Sequence, residues 1–475
     1  MAARAAARYG TVSSVQFTRV LTVATALSLV VVAAACSTAT RAQHTGASPA
    51  GPSASGTPAA ATPTVTAAPS EQSAADDARP RVLAGDAPRA AGFEVSVSRL
   101  RTSRPGGRVT GLSADGVAVG IEGRRGAAAS ASDAERAVRW DAAGRPGTLA
   151  AAAPGTDPKI GRDGLVAFTA SRSGVRTVLD DATRLLTDVT ARTADGRRPE
   201  NPDVGAVVDV GTDRVLVSLR RPLPAPQGEG EDAPAALWSP RTGELTPVPI
   251  AGRFLTDDGT VVGNRLTGIT DDHPDGSAPA TWRPGEEPVE LEVPRGWKGE
   301  PQAGARDTVV GKLTRTTTDD GRPAGEQPPA AAVQWRHGKV DYLPPLGGRQ
   351  SIAASVNRHG VVAGTSQTPD GWPHAVTWRD GHVTDLGTLD GTGESWAVGV
   401  SDGDVAVGYS STKSGGRHAV AWVGGGIVDL GAAVDPAASS QAAGIVGRRI
   451  YGTVSVKEGV DAPVIWTLKP KKPTG

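Results

Sequence analysis

Two stretches near the C-terminus carry almost the same wording: "HAVTWRDGHVTDLG" at 374–387 and "HAVAWVGGGIVDLG" at 418–431, 44 residues apart. Their tryptophans set a register for much of the chain. Trp378, Trp422 and Trp466 follow one another at 44-residue intervals, and Trp335, Trp282, Trp238 and Trp140 precede them. Each is preceded by small or branched residues, as in "RAVRW", "PAALW", "AAVQW" and "APVIW". Gly285, Gly338, Gly381 and Gly425 each stand three residues after their tryptophan, where a tight turn needs glycine.

A second landmark lies upstream of each tryptophan: a turn, then a short β-branched run. The copies include "ADGVAVG" (114–120), "RDGLVAF" (162–168), "DDGTVVG" (257–263), "RHGVVAG" (358–364) and "DGDVAVG" (402–408). The mean step is about 47 residues, a period typical of propeller blades and other repeat arrays. One unit, from Ser351, reads as four short strands: "SIAASVN", "VVAGTS", "HAVTW" and "HVTDLG". Gly and Asp turns separate them, as in antiparallel hairpins. A lone four-stranded unit leaves faces and edges uncovered, and radial stacking covers them.

The expectation is an all-β chain forming a single β-propeller of eight four-stranded blades over residues 89–470. The second unit, around 165–189, lacks its tryptophan, and seven blades remain if that segment is an insertion. The last unit stops after "APVIWTLKP" without a fourth strand, while "FEVSVSRL" (93–100) is an orphan strand before the first unit. The N-terminal strand is therefore expected to close the last blade. Residues 471–475 are left as a short tail.

The first 88 residues read differently. Arg4, Arg8 and Arg19 precede the apolar run "VLTVATALSLVVVAAAC", which has the length of a signal-peptide core. Small residues before Cys36 resemble the bacterial lipobox. That resemblance implies a signal peptide over 1–35, lipidation of Cys36, and attachment to the outer face of the cytoplasmic membrane. The alternative is plain secretion. Cys36 is the only cysteine, so neither an internal disulfide nor a Cys-based metal site can form. Residues 36–88, rich in Ala, Ser, Thr and Pro, cannot bury enough apolar surface to fold and read as a disordered tether.

Composition excludes some functions. Lys+Arg and Asp+Glu both number 50, giving zero formal net charge, so nucleic acid binding lacks its electrostatic drive. No Ser-x-Asp-x-Gly-x-x-Trp box, quinone-cofactor repeat, His-Glu-x-x-His or Gly-x-Ser-x-Gly elbow with a downstream His is present. The chain is expected to be neither an enzyme nor a cofactor or metal carrier, and to be monomeric. His374 and His418 give way to Arg136, Pro234, Ala278, Ala331 and Ala462 in other units and read as structural. Asp115, Asp163, Asp257, Asp258 and Asp402 read as turn residues. "DDHPDG" (271–276) lacks the ligands of a calcium loop.

The motif His-Ala-(Phe/Val)-x-Trp, a Gly turn, Asp-Leu-Gly, Ser-x-Ala and Gly-x-Val-(Val/Ala)-Gly resembles the extracellular HAF-repeat family. Residues 373–411 match it through His374-Ala375-Val376, Trp378, Asp385-Leu386-Gly387, Ser395, Ala397 and Val405–Gly408. The resemblance implies a propeller and an exported location more than a reaction.

Trp297 and Trp372 fall outside the strand-end position, among turn residues, and are the candidate ligand contacts. The variable insertions 220–234 and 315–329 enter between second and third strands, on one face of the disc. The expected function is binding of an envelope protein or a polysaccharide. The competing expectation is an extracellular glycan- or peptide-modifying enzyme working at the axial funnel.

Overall fold

The computed structural model describes residues 90, 92–123, 135–149, 156–172, 175–180, 204–223, 233–268, 276–317, 328–457 and 460–471. The signal segment, Cys36, the tether to residue 88, residues 271–275 and 472–475 lie outside the described residues.

The described chain is all-β. Seven sheets have four strands and one has three, and within each repeat unit the strands pair in chain order. We number the blades along the chain: blade 1 (107–148), blade 2 (159–180), blade 3 (204–248), blade 4 (251–290), blade 5 (297–342), blade 6 (351–385), blade 7 (395–429) and blade 8 (440–470). Each blade packs against the next, and blade 8 packs against blade 1. The first strands line the axis. Blade 2 is the three-stranded sheet, and it occupies a place in the ring between blades 1 and 3. Among the described residues, seven is therefore the number of complete four-stranded blades.

Closure is as the orphan strand predicts. Phe93–Arg99 pairs antiparallel with the last strand, Phe93 opposite Pro470 and Arg99 opposite Val464. Lys471 extends this ladder by donating its N–H to the Gly92 carbonyl, 2.9 Å. Phe93, Val95 and Val97 pack on the core around Trp466 and Leu468.

The recurring tryptophan is the wedge between blades. Trp140, Trp238, Trp335, Trp378 and Trp466 are fully buried, and Trp282 and Trp422 nearly so. Each sits in a core cluster shared with the preceding blade: Trp378 with Val310 of blade 5 and Leu343 just after it, Trp422 with Val361 and Ala363 of blade 6. Burying an aromatic of this size contributes on the order of 2–3 kcal/mol. Three indole N–H groups also reach the linker ahead of their own blade: Trp140 to Arg101 O, Trp335 to Glu292 O and Trp378 to Pro344 O, at 2.7–2.8 Å.

The glycines after the tryptophans take positive φ, 79° at Gly338 and 77° at Gly381, and follow His337 and Asp380, also at positive φ. Two consecutive left-handed residues form the turn that matches strand twist. The glycine that ends the "VVAG" type of run has another cause. First strands bulge near their middle, between Ala353 and Ser355 in blade 6. A Cβ on Gly364 would overlap the Ile352 carbonyl across that bulge.

Candidate functional site

Strand order gives the ring two ends. Connections between blades and between second and third strands lie at one end, the loop face. The tight turns lie at the other, the turn face.

The repeated wording is explained at the loop face. His374 is the second residue of the third strand of blade 6, and Asp385 ends the fourth; His374 Nδ1 lies 2.9 Å from Asp385 Oδ2. Asp385 is 0% exposed and also accepts the Gly387 N–H at 2.8 Å. Ser395, opening blade 7, donates to Gly387 O and accepts from Ala375 N, at 2.8 and 2.9 Å. The same set recurs one blade on, with His418 Nδ1 2.9 Å from Asp429 and Ala419 N donating to Ser440 Oγ at 2.9 Å. His, Asp and Ser together tie one blade to the next, so the histidines are structural.

Trp297 and Trp372 both fall at this face, on blades 5 and 6. They differ in setting. Trp297 opens the first strand of blade 5, packs on the cluster around Val262 and Trp335, and carries the Arg315 guanidinium 5.6 Å from its ring centroid. Trp372 is 55% exposed. It ends a turn closed by Thr368, whose N–H donates to Trp372 O at 2.9 Å and whose hydroxyl accepts the Trp372 N–H at 3.2 Å. Trp396, the third such tryptophan, lies near parallel to Tyr409, with centroids 6.4 Å apart.

At the turn face the ends of all eight first strands surround a cavity of about 830 Å³, among them Leu112, Ile160, Val210, Ala305, Val356 and Val446. The second-to-last residue of these strands is small in several blades, Gly111, Gly304, Ser355 and Gly399. Blades 2 and 3 place Lys159 and Asp209 there. Asp209 Oδ2 accepts the Leu255 N–H at 2.8 Å and Oδ1 its neighbour Val210 N–H at 2.9 Å. Burial pushes the Asp209 carboxyl above the usual carboxylate range; the two N–H groups and Lys159 only partly offset this. Tyr451 lies over Gly444 toward the same cavity, its phenol raised by burial and then by the charge of Asp209.

The mouth of the cavity carries a chain of four side chains. Arg358 of blade 6 lies 3.3 Å from Asp257 of blade 4 and 3.3 Å from Asp402 of blade 7. Asp402 in turn lies 3.2 Å from Arg162 of blade 2. The two outer links skip intervening blades, so the chain spans the opening. All four residues stand second after the end of their first strand. Burial works to raise the Asp402 carboxyl, but the Arg358 N–H and the Arg162 and Arg358 guanidiniums outweigh it and hold it below its usual range. Arg162, Arg358 and Asp402 also border a depression of about 600 Å³ flanked by Arg448, Arg449 and Lys469. Among the described residues no group of three or more His, Cys, Asp or Glu side chains is placed to hold a metal ion.

Sequence reading assigned Asp115, Asp163, Asp257, Asp258 and Asp402 to turns, and they are there. Asp115 stays within its turn, bonded to Ser113, while Asp258 bonds Thr256 in its turn and also accepts from the Arg283 guanidinium at 2.6 Å. Asp257 and Asp402 reach beyond theirs. Lys159, Asp209 and Tyr451 went unmarked; the available signal was a charge in a strand column otherwise rich in small residues.

A comparison with family models finds no match, and one with curated proteins finds none either. Among solved structures the chain is similar to the propeller domain of the Trilobed protease from Pyrococcus furiosus, described as having an open velcro topology. Identity is 12%, the TM-score 0.41, and the match covers 69% of this chain and 97% of that one. It is also similar to an acylaminoacyl peptidase from Pyrococcus horikoshii: 14% identity, TM-score 0.40, 74% of this chain but only 58% of that one. A gluconolactonase from Xanthomonas campestris, XC5397, matches at 13% identity and TM-score 0.26, over 78% of this chain and 100% of that one. The architecture itself, seven complete blades and a closing N-terminal strand, is that of a β-propeller.

Proposed function

We propose that this propeller is a binding module of the HAF-repeat type, exported and held at the outer face of the membrane by a lipid on Cys36. Residues 36–88 serve as the tether. The loop face meets the partner, and Trp372 is the main contact, with Trp297 and its Arg315 beside it. The observation that carries this reading is the exposed indole of Trp372 on a turn that its own hydrogen bonds hold in place. An exposed large apolar side chain contributes little to stability, and a braced one binds at low entropic cost. A flat indole stacks on the apolar face of a sugar ring, which favours a surface polysaccharide over an envelope protein.

Two measurements test this. Purified protein is titrated with envelope polysaccharide from the source organism. Trp372→Ala should weaken binding at least about tenfold, the scale of one buried aromatic contact. Unchanged affinity would remove the loop face from the reading. Separately, Cys36→Ala should move the protein from the membrane fraction to the soluble one; retention would overturn the lipid anchor.

A further inference from the structure

The axial cavity has a feature that the fold does not require. In blade 6 the residue equivalent to Asp209 is Ser355. Its hydroxyl accepts the N–H of Val400, which ends the first strand of blade 7, at 3.3 Å. Asp209 accepts the N–H of Leu255, which ends the first strand of blade 4, in the same way. The bond between blades is therefore served by a neutral hydroxyl in one place and by a carboxylate in the other. A carboxylate among closely packed protein atoms is costly unless something offsets its charge.

Lys159 is the matching exception on blade 2, an ammonium in a column that, Asp209 apart, holds only uncharged residues: Gly111, Phe254, Gly304, Ser355, Gly399 and Ile445. Asp209 and Lys159 line one cavity. Among the described residues neither forms an ion pair. Two opposite charges that line one cavity, near enough for Lys159 to ease the burial of Asp209 yet not joined in an ion pair, form a dipolar site. Around them the wall mixes apolar side chains, Leu112, Ile160, Val210, Leu255 and Val446, with polar ones such as Thr110, Thr256 and Asn357. The volume lies within the range that small-molecule sites span, about 300–1,000 Å³.

We propose that the axial cavity binds a small zwitterion of amino-acid or dipeptide size, with its ammonium at Asp209 and its carboxylate at Lys159. The ammonium donates to the lone pairs that the backbone N–H groups leave free on the Asp209 carboxylate. The Tyr451 phenol lines the same side and receives the cation against its ring or oxygen. The Asp257–Arg358–Asp402–Arg162 chain stands at the mouth. A ligand carboxylate can exchange with Asp402 on either arginine while entering, so the mouth passes this class of molecule without exposing a bare charge. The site is at the opposite end of the ring from Trp372 and stands or falls independently of the loop face.

The test is calorimetric titration of the purified full chain with glycylglycine and alanylalanine up to about 10 mM, the weak end of specific affinity. The controls are the N-acetylated dipeptides, which lack the ammonium, and the dipeptide amides, which lack the carboxylate. Binding of at least one dipeptide is expected, weakened tenfold or more by acetylation and by Asp209→Asn, and by amidation and Lys159→Met. Circular dichroism establishes that both variants are folded. Should Asp209→Asn unfold, Tyr451→Phe and the acetylated probes carry the ammonium arm alone. No heat from either dipeptide, or equal affinity for the free and blocked forms, would overturn the site. Binding that survives Asp209→Asn but fails on Trp372→Ala would place the ligand on the loop face and overturn it as well.

Discussion

At the loop ends of blades 6 and 7 the contacts come in copies. His374 with Asp385 is repeated by His418 with Asp429, and Ser395 on Ala375 by Ser440 on Ala419. At the mouth of the axis the contacts occur once. Asp257, Arg358, Asp402 and Arg162 come from four blades, and two of their three links cross the ring rather than follow it. The first kind of contact specifies a neighbour, and any blade can use it. The second specifies a centre, and only one arrangement of blades provides it. Repetition in this chain builds the ring, and departures from repetition furnish it.

The largest effect should come from breaking the one contact on which the ring of neighbours depends. Deleting Phe93–Arg99 uncovers Val464, Trp466 and Leu468, and should lower the melting temperature by about 10 °C or more, or abolish cooperative unfolding. An unchanged melting temperature would mean that the ring does not need its closing strand. Next comes Asp385→Ala, which strands His374 Nδ1 and the Gly387 N–H in a buried position. A loss of about 2–4 kcal/mol is expected by denaturant titration. His374→Ala in the same titration should cost less, because the imidazole, 18% exposed against 0% for Asp385, leaves some water access behind. Equal costs would show that the histidine, not the carboxylate, holds the latch.

The axis should respond differently. Asp209 has a raised carboxyl pKa in the folded chain, so the fold holds that proton more tightly than the unfolded chain does. Stability from this group is present at acid pH and is lost as pH rises from about 4 through the raised folded value. Lys159 and Tyr451 face the same carboxylate. Raising the pH from about 4 to 7 should therefore shift the difference in melting temperature in favour of Asp209→Asn. A difference that does not vary with pH would show that the carboxylate is not penalised. The smallest effect belongs to Arg358→Ala, whose partners are half-exposed. The expected change is about 1 kcal/mol or less in the same denaturant titration. A larger one would make the mouth a structural element equal to the latches.

These differences also mark what the sequence alone makes legible. The tryptophan spacing, the turn glycines and the unpaired strand at 93–100 carry the fold because each has a physical reason to recur at fixed intervals. The bulge opposite Gly364 was visible only as a glycine that recurs in most copies, without its cause. The role of His374 was legible as structural, but its partner was not, since Asp385 is eleven residues away on another strand. The charged axis was missed because Lys159 and Asp209 look unremarkable in their own strands. They become conspicuous only when eight first strands are brought round one axis and their equivalent positions compared.

The closing strand sets an order of events. Phe93 and Pro470 are neighbours in space at opposite ends of the folded chain, so the ladder between them has a contact order that no other pair of strands approaches. Local hairpins can form as soon as their residues are free, but this one waits for the last residues to arrive. Until then blades 1 and 7 each present a bare flank. A chain made or threaded from its N-terminal side thus carries Phe93–Arg99 unpaired until the partner strand arrives, and closure of the ring reports that every blade up to Pro470 has come through.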